Sequence, residues 1–389
     1  MGHPRARWRV TKPLRDRIAE GHPWIYDRAL AADSSKVAGD IVTLVDDRGP
    51  LATALADPGS PIRARVLDLD PEAACDAAWA ERRARDAAAR RARDPLLAGC
   101  TGRRLVHGEA DGCAGLVVDL YGDTAVVVYD GRAAASFWSA RLDAVLAGLD
   151  AHADIAHVLV RGDRKDRGAR ISTTARGDPP AEIVIAEDEA RFAVDVRAGQ
   201  KTGFFLDQRE NRRLVRRHAD GARVLNAFCY TGGFSLHAAL GGAAHVTSID
   251  VAAPAIAALA NNVALSDLPA DRHTAIAVDA FDFFAQAAAR RERWDLVIVD
   301  PPSFAPSEKA KPAALASYRK LVDAALAVTV PNGRFALASC SSHVTEADLL
   351  ALCARPGLRL RAALGAASDH PVLPAFPEGR YLKFLLFDV

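Results

Sequence analysis

The chain has 389 residues, of which 50% are hydrophobic and 25% charged, which is typical of a globular enzyme with two or three domains. The formal net charge of +1 excludes a strong global field, so any contact with nucleic acid must come from local basic patches. The six cysteines form no CxxC pair, so we expect neither a zinc site nor a disulfide framework.

The N-terminal stretch "MGHPRARWRV" is basic but has no apolar core segment, so we predict no signal peptide. No apolar run is long enough to span a bilayer. We therefore expect a cytoplasmic protein with no membrane partner and no metal.

In chain order, residues 1–70 form the first predicted domain. The stretches "GDIVTLVDDRGPLATALAD" and "SPIRARVLDLD" alternate apolar and polar residues around turn signals, which is typical of short strands. Residues 71–100 change to a helical composition without glycine or proline over 72–93, which predicts a connecting helix with a basic face.

Residues 101–195 return to a β-rich pattern and form the predicted central domain. Apolar runs at 115–120 and 124–129, joined by "YGD", predict a hairpin. A helix at 134–148 and a strand at 156–161 follow. The polar and basic stretch that comes next predicts an exposed loop, and a second hairpin is predicted at 183–196.

Residues 196–389 form the predicted catalytic domain, which becomes regular from about residue 220. The strand-like runs "ARVLNAF", "HVTSID", "TAIAVD", "LVIVD" and "RFALASC" are separated by helical patterns. This alternation predicts an α/β fold with a mostly parallel, doubly wound sheet. The final stretch "YLKFLLFDV" fits an antiparallel edge hairpin.

Ligands of such sheets bind at the carboxyl ends of the strands, so the residues there are the candidate site. Gly232 and Gly233 follow the first strand and permit a tight turn against a ligand, although their spacing matches neither a dinucleotide fingerprint nor a P-loop. Asp250 ends the second strand, where a carboxylate suits a ribose diol. A helix cap explains Asp250 about equally well.

The third and fourth strand ends extend the pattern. Asp279 could meet an adenine amino group with Phe281 as apolar cover, and Asp300 opens the stiff motif "DPPSF". Together the four strand ends predict a nucleoside cofactor without a diphosphate, and S-adenosylmethionine fits this description best.

These motifs resemble class I S-adenosylmethionine-dependent methyltransferases. With "GQKTGFFLDQRENR", "SCS" and "DHPVLPAFPEGRYLKFLLF", the chain resembles the large-subunit (23S) ribosomal RNA cytosine-5 methyltransferases that carry an N-terminal PUA domain. "GHPWIY" and "GSPIRARVL" resemble the PUA module of that family, and "HGEADGCAGLVVDLYGD" resembles its central domain. The resemblance implies a Rossmann-like methyltransferase domain, S-adenosylmethionine as cofactor, and methyl transfer to carbon 5 of a cytidine in large-subunit ribosomal RNA.

Cys340, in "LASCSSHV", is the expected nucleophile by this resemblance. Carbon 5 of cytosine is a poor nucleophile until a thiolate adds to carbon 6, so the chemistry requires one cysteine in the target pocket. Taken alone, Cys340 fits a small core residue better, because cysteine is among the most buried residue types. Asp300 is the expected proton-handling carboxylate, and it should lie on the same sheet edge as Cys340. Ser303 stands where related enzymes with two cysteines have the second one, so another group, such as a water held by Asp300, must accept the carbon 5 proton.

The remaining site residues follow from the same motifs. In "TGFFLDQR" a cofactor contact and a structural role are equally supported. The predicted cofactor-binding residues are Phe205, Gln208, Arg209, Asn226, Phe228, Tyr230, Thr231, Gly232, Gly233, Asp250, Asp279, Ala280, Phe281 and Asp300.

Basic and aromatic residues near the N-terminus, on the connecting helix and in the exposed loop are candidate RNA contacts. For the connecting helix, a solvated arginine face is the slightly better interpretation. The predicted RNA-binding residues are Arg5, Arg7, Arg9, Lys12, Trp24, Arg164, Lys165 and Arg167, with Trp8, Arg161 and Arg170 as further candidates.

Two alternatives remain open at this point. The enzyme could modify another base or an exocyclic amino group, although no aromatic residue directly follows the second proline of "DPPSF". The chain could also be a non-catalytic RNA-binding assembly factor, against which the cofactor loop and "SCS" argue. The target nucleotide and the oligomeric state, with a homodimer as one option, are not determined by the sequence.

Overall fold

The computed structural model describes residues 5–162 and 172–389. The predicted RNA contacts Arg164, Lys165, Arg167 and Arg170 lie outside these described residues. The chain divides into two compact units: unit 1 combines Met1–Ile183, Val194–Phe204 and Ser368–Gly379, and unit 2 combines Val184–Ala193, Phe205–Ala367 and Arg380–Val389.

Unit 1 begins with a five-stranded sheet in the order β1-β3-β4-β5-β2. Its elements are β1 (Arg7–Arg9), α1 (Arg15–Ala19), β2 (Trp24–Tyr26), β3 (Ile41–Asp46), β4 (Gly49–Ala56) and β5 (Ile62–Asp68). Strand β1 runs parallel to β3, and the other neighbours are antiparallel. Side chains that alternate inward, such as those of Val42 and Leu44, form the core of this small domain. The predicted β-rich N-terminal domain is therefore present.

A second five-stranded sheet follows in the order β10-β9-β8-β7-β6. Its elements are α2 (Ala77–Ala92), β6 (Gly102–His107), β7 (Leu116–Tyr121), β8 (Thr124–Tyr129), α3 (Arg132–Ser139), α4 (Leu142–Asp150), β9 (His157–Arg161) and β10 (Ser172–Arg176). The hairpin β7–β8 and the strand β9 confirm the predictions for this region. The single helix predicted over 134–148 is wrong, because the helix is interrupted at Ala140 and Arg141, where the Arg141 guanidinium donates to the carbonyl of Cys75.

Helix α2 is part of the hydrophobic core of unit 1 and does more than connect two domains. Its alanines and Trp79 are buried against the central sheet. Several of its arginines form ion pairs: Arg90 and Arg91 share Asp111, and Arg83 pairs with Asp68. This pairing weakens the case for an exposed basic face that contacts RNA.

The hairpin of β11 (Glu182–Glu187) and β12 (Ala190–Asp195) confirms the hairpin predicted at 183–196. Unit 2 is built on a seven-stranded sheet in the order β15-β14-β13-β16-β17-β19-β18. Its elements are α5 (Arg209–Arg217), β13 (Arg223–Ala227), α6 (Gly233–Leu240), β14 (His245–Asp250), α7 (Ala253–Leu265), β15 (His273–Ala277), α8 (Ala280–Ala289), β16 (Trp294–Val299), α9 (Lys311–Ala327), β17 (Thr329–Ser339), α10 (Glu346–Leu352), β18 (Arg359–Leu364) and β19 (Lys383–Asp388).

The first five strands of this sheet, β13 to β17, are parallel, and β19 runs antiparallel between β17 and β18. Helices cover both faces of the sheet and enclose two apolar clusters. The predicted doubly wound sheet with an antiparallel C-terminal hairpin is confirmed. Since β13 and β16 are adjacent and β16 and β17 are adjacent, the loops that follow these strands lie at one edge of the sheet.

Candidate active site

The loop between β13 and α6 is held in an unusual backbone conformation. Phe228 and Tyr230 have positive φ angles of 61° and 48°, which are uncommon for residues other than glycine. Gly232 has a φ of 89°, and a Cβ atom there would lie 2.7 Å from Cγ of Leu259. Strain of this kind accumulates where a loop must present its backbone to a ligand.

Asp250 joins this loop to the end of β14. Its carboxylate accepts hydrogen bonds from the backbone N–H of Tyr230 and of Ala252, each at 2.9 Å. The N-cap of α7 is Ala252, so Asp250 is not the helix cap that was the alternative interpretation. The half-buried carboxylate retains acceptor capacity, as a ribose diol requires.

At the end of β15, Asp279 is the N-cap of α8 and accepts from the backbone N–H of Phe281 and of Asp282. Ala280 is buried as the first residue of the helix, whereas the Phe281 side chain is 39% exposed beside it. Phe205 and Tyr230 form an edge-to-face pair with ring centroids 5.2 Å apart. Thr231 is fixed through its carbonyl, which accepts from Nδ2 of Asn262 at 2.9 Å.

Two of the predicted cofactor-binding residues have fully buried side chains. Asn226 is fully buried and its Nδ2 donates to Oγ of Ser235 at 2.8 Å, so the amide links β13 to α6. Arg209 is also fully buried and lies 3.7 Å from a carboxylate oxygen of Glu187. Both residues stay predictions as cofactor contacts.

The Gln208 side chain contacts another predicted site residue, Asp300. Its Nε2 donates to Oδ2 of Asp300 at 2.9 Å, and its Oε1 accepts from Nδ2 of Asn211 at 2.6 Å. Gln208 is buried, and Asp300 is half-buried after β16. The "TGFFLDQR" segment thus orients the Asp300 carboxylate.

Cys340 lies directly after β17 and is partly exposed, while Ser339 and Ser341 on either side are fully buried. Ser339 Oγ accepts from the Tyr318 hydroxyl at 2.8 Å, and Ser341 Oγ lies 3.1 Å from Oγ of Ser303. The two serines therefore fix the Cys340 loop to α9 and to the "DPPSF" loop that begins with Asp300. The other five cysteines are all buried.

Lys383 in β19 is a site residue that the sequence interpretation missed. Its Nζ donates to the carbonyl of Ser341 at 2.6 Å and to that of Tyr381 at 2.9 Å, and the residue is 5% exposed. Burial lowers the pKa of Lys383 to about 8, against the opposing effects of Cys340 and Asp348. The signal was a single charged residue inside the apolar run "YLKFLLF".

Several predicted RNA contacts are occupied within unit 1. Arg5 donates to the Thr53 hydroxyl and to the Ala73 carbonyl, so its guanidinium stabilises the small domain. The Trp24 ring packs edge-to-face against Phe376, with centroids 4.6 Å apart, and its Nε1 donates to Glu109.

Trp8 and Arg161 were further candidates for RNA contact, and neither is available. Trp8 is buried in the core of the small domain. Arg161 is buried and donates to the carbonyls of Gly199 and Lys201. Both predictions are therefore wrong.

The exposed residues Arg7, Arg9 and Lys12 remain candidates for phosphate contact, with Arg9 in an ion pair with Asp47. Within residues 5–162 and 172–389, no group of three or more metal-ligating side chains is found. No helix in the same part of the chain is long and apolar enough to cross a membrane.

Sequence comparisons place both parts of the chain in known families. Residues 151–387 match the profile of S-adenosylmethionine-dependent methyltransferases, and residues 9–69 match that of PUA-like domains. A Deinococcus radiodurans protein named Ribosomal RNA large subunit methyltransferase is 38% identical over 406 residues, covering 99% of this chain and 98% of that protein. A Shewanella denitrificans protein named Ribosomal RNA large subunit methyltransferase I is 33% identical, covering 96% and 97%.

The fold is shared with solved structures. One is a candidate SAM-dependent methyltransferase from Streptococcus mutans, with a TM-score of 0.85 at 23% identity, covering 99% of this chain and 100% of that chain. Another, a candidate methyltransferase complexed with SAH, has a TM-score of 0.85 at 22% identity and the same coverage. The predicted fold class is confirmed by these matches.

Proposed function

Since the chain belongs to the family of S-adenosylmethionine-dependent methyltransferases, we propose that it methylates carbon 5 of a cytidine in large-subunit ribosomal RNA through a covalent adduct with Cys340. The names of the Deinococcus and Shewanella relatives support ribosomal RNA as the substrate, because the alignments extend over nearly the full length of each protein. The PUA-like domain supports an RNA partner as well. The choice of cytosine and of carbon 5 is based on the residues around Cys340.

The residues at the carboxyl edge fit the proposed cofactor. The Asp250 carboxylate suits the ribose hydroxyls, the exposed Phe281 ring suits one face of adenine, and the strained loop at Phe228–Gly232 presents backbone groups to the methionine part. When bound, S-adenosylmethionine supplies an electrophilic methyl group to carbon 5 and leaves as S-adenosylhomocysteine. The glycine spacing of the loop after β13 matches neither a P-loop nor a dinucleotide fingerprint, in agreement with a cofactor that lacks a diphosphate.

The chain's own residues supply the nucleophile and the proton chemistry. The Cys340 thiolate forms a bond to carbon 6 of the ring, and the displaced electron pair makes carbon 5 nucleophilic. Asp300 donates a proton toward ring nitrogen 3 and stabilises the electron-rich adduct. After carbon 5 has been methylated, a water held by Asp300 takes the carbon 5 proton. The double bond between carbons 5 and 6 then re-forms, the thiolate is expelled, and ring nitrogen 3 returns its proton to Asp300.

One observation supports this proposal above the others. Cys340 and Asp300 follow adjacent parallel strands, β17 and β16, and the Ser303–Ser341 contact of 3.1 Å links their two loops. A buried core cysteine would not require a loop fixed on both sides by fully buried serines. The arrangement provides a thiol and a carboxylate at one edge of the sheet, as the covalent mechanism requires.

Replacement of Cys340 by Ala tests the proposal. We expect Cys340→Ala to abolish methyl transfer to large-subunit ribosomal RNA while cofactor affinity, measured by calorimetry, stays within about twofold, because the thiol is needed only for the adduct. The matched control is Ser342→Ala, an exposed neighbour in the same loop, which should retain activity.

A second readout separates the alternative functions. RNA in which cytidine is replaced by 5-fluorocytidine should form an adduct with the wild-type protein that survives denaturation, since fluorine at carbon 5 cannot leave as a proton. Methylation by Cys340→Ala would refute the covalent mechanism. A methylated base other than cytosine in digested RNA, or no methylation by the wild-type protein, would favour the other-base enzyme or the assembly factor.

A further inference from the structure

We propose that the buried ammonium of Lys383 stabilises the thiolate of Cys340 and thereby makes the thiol reactive near neutral pH. This inference depends on the proposed function, in which Cys340 is the nucleophile. Lys383 acts through Cys340 and is therefore a positioning residue. A thiol at this site needs some such activation, because the thiolate is the nucleophilic form.

The strand register places Lys383 beside the nucleophile. Strands β17 and β19 are antiparallel, and Ser339 is the residue paired with Lys383. The Lys383 Nζ then donates to the carbonyl of Ser341, so it is in contact with the backbone on the far side of Cys340. Lys383 is thus next to both ends of the three-residue segment whose central residue is the cysteine, through its backbone at Ser339 and through its ammonium at Ser341.

The acceptors around Lys383 leave its charge without full compensation. Among the described residues, two carbonyls take two of the three ammonium N–H groups, and no carboxylate lies within ion-pair distance of Nζ. Burial of an ammonium against neutral acceptors is unfavourable unless a negative group is near. The Cys340 thiolate supplies that charge, and Cys340 interacts electrostatically with Lys383.

The other charged and titratable groups around this pair are compatible with the role. Asp348 of α10 also acts on Lys383 but is neutralised by Lys311 at 2.8 Å. The Tyr318 hydroxyl of α9 donates a hydrogen bond to Oγ of Ser339. Burial raises the pKa of Tyr318, so this hydroxyl stays neutral. Asp300, directly after β16, accepts a hydrogen bond from Gln208. Lys383 is therefore the cation of this cluster that can form an ion pair with the thiolate.

The pKa of Lys383, lowered to about 8 mainly by burial, defines the pH window. Below this pH the side chain is mostly ammonium and stabilises the thiolate. Above it, the ammonium loses its proton and the stabilisation disappears. The thiol and the amine are expected to titrate as a coupled pair.

Alkylation of the full-length protein by iodoacetamide, from about pH 6 to about pH 9, measures the thiolate fraction directly. The extent of reaction is read from the mass of the peptide that contains Cys340, so methyl transfer is not required. Burial raises the pKa of Cys75 and of Cys353 to about 11, so these buried thiols should react slowly in this range. For the wild-type protein we expect an apparent pKa of Cys340 below the ordinary cysteine value of about 8.5.

Two variants test whether the charge of Lys383 is responsible. Lys383→Gln keeps an N–H donor for the carbonyls and removes the charge, so we expect alkylation of Cys340 near neutral pH to become about tenfold slower. Lys383→Arg keeps the charge and should restore most of the rate. Thermal unfolding of each variant identifies those that retain the native fold.

The inference is overturned by a wild-type apparent pKa at or above the ordinary value, by an unchanged profile in folded Lys383→Gln, or by an equal loss in folded Lys383→Arg. The wild-type measurement decides even where both variants fail to fold. A shifted alkylation profile together with an active Cys340→Ala variant would assign the failure to the proposed function. An unshifted profile together with an inactive Cys340→Ala variant would assign it to the role of Lys383.

Discussion

Ser339, Cys340 and Ser341 are three adjacent residues with different environments at the end of β17. The two serines are fully buried, and the cysteine between them is partly exposed. The repeated small polar residue in "SCS" therefore has a structural purpose, because each hydroxyl fixes the loop to a different element. The sequence suggested this motif as a unit but could not show which neighbours the hydroxyls reach.

Gln208 offers a test of how Asp300 is held. In Gln208→Glu a carboxylate would face Oδ2 of Asp300 across the present 2.9 Å contact, so the pKa of the introduced carboxyl group should rise above its unfolded value of about 4.3. Because the pKa of this group is raised in the folded state, the variant keeps its stability at pH values below the unfolded-state pKa. It loses that stability as the pH rises through the folded-state pKa. We expect the melting temperature of Gln208→Glu, relative to wild type, to fall between about pH 5 and about pH 8.

Gln286→Glu is the matched control, because Gln286 is exposed on α8. Its melting temperature should follow the wild type across the same range. Equal pH dependence of the two variants would contradict the Gln208–Asp300 contact.

At the scale of elements, a buried charge cluster connects strand β11 to the helices α5 and α6 within unit 2. The Glu187 carboxylate, at the end of β11, accepts two hydrogen bonds from the Arg212 guanidinium of α5. Its Oε1 lies 2.9 Å from Nε2 of His237 in α6. Burial alone would raise the pKa of Glu187, but Arg212 and His237 outweigh it and hold the pKa well below its usual range. The carboxylate thus connects three elements that the sequence shows only as separate patterns.

Glu187→Gln should therefore destabilise unit 2 by about 3–5 kcal/mol, because it removes the carboxylate that forms the bidentate pair with the buried Arg212. The wild-type contribution of Glu187 is present above its unfolded pKa of about 4.3 and is lost as the pH falls through the lowered folded pKa. Chemical denaturation at neutral pH measures the difference. The control is Glu189→Gln, which breaks a more exposed pair with Arg216 and should lower the free energy of unfolding by less than about 1 kcal/mol. A similar loss of unfolding free energy in both variants would contradict this account.

The elements themselves were largely predictable and their polar contacts were not. The apolar runs that became β13 to β17 carry enough β-branched and aliphatic residues to be recognised, and their order follows from the fold class. Strand β18, with the sequence "RLRAAL", was not predicted, because its two alanines have a low strand propensity. The full burial of Asn226 and Arg209 was not foreseen, because a motif gives the position of a residue along the chain, whereas burial depends on what packs around it.

At the scale of the whole molecule, the near-zero net charge makes RNA affinity a property of a few exposed cations. We expect Arg7→Ala to weaken RNA binding at every sequence tested and to lower the slope of log affinity against log salt by about one. Filter binding at several salt concentrations measures both values. Arg290→Ala, an exposed arginine of unit 2, is the control, and an equal effect on its salt slope would remove Arg7 from the proposed RNA surface.

The division into compact units was the least predictable property of the chain. Val194–Phe204 and Ser368–Gly379 belong to unit 1, although the residues on both sides of each segment belong to unit 2. Phe376, for example, packs against Trp24 in the small domain. A contact across this separation in sequence leaves no local pattern, so composition and periodicity could not reveal it.

Strand β19 has a consequence for how the protein is made. It lies between β17 and β18, although both of them are synthesised earlier. A nascent chain whose β19 is still inside the ribosome already contains the loop between β13 and α6. It has two unpaired strand edges, which favour association with other chains. If Lys383 activates Cys340 as proposed, the same nascent chain also lacks the cation that generates the thiolate. The nucleophile would then become reactive only after translation of the catalytic sheet is complete, and the unfinished chain would be protected from premature oxidation.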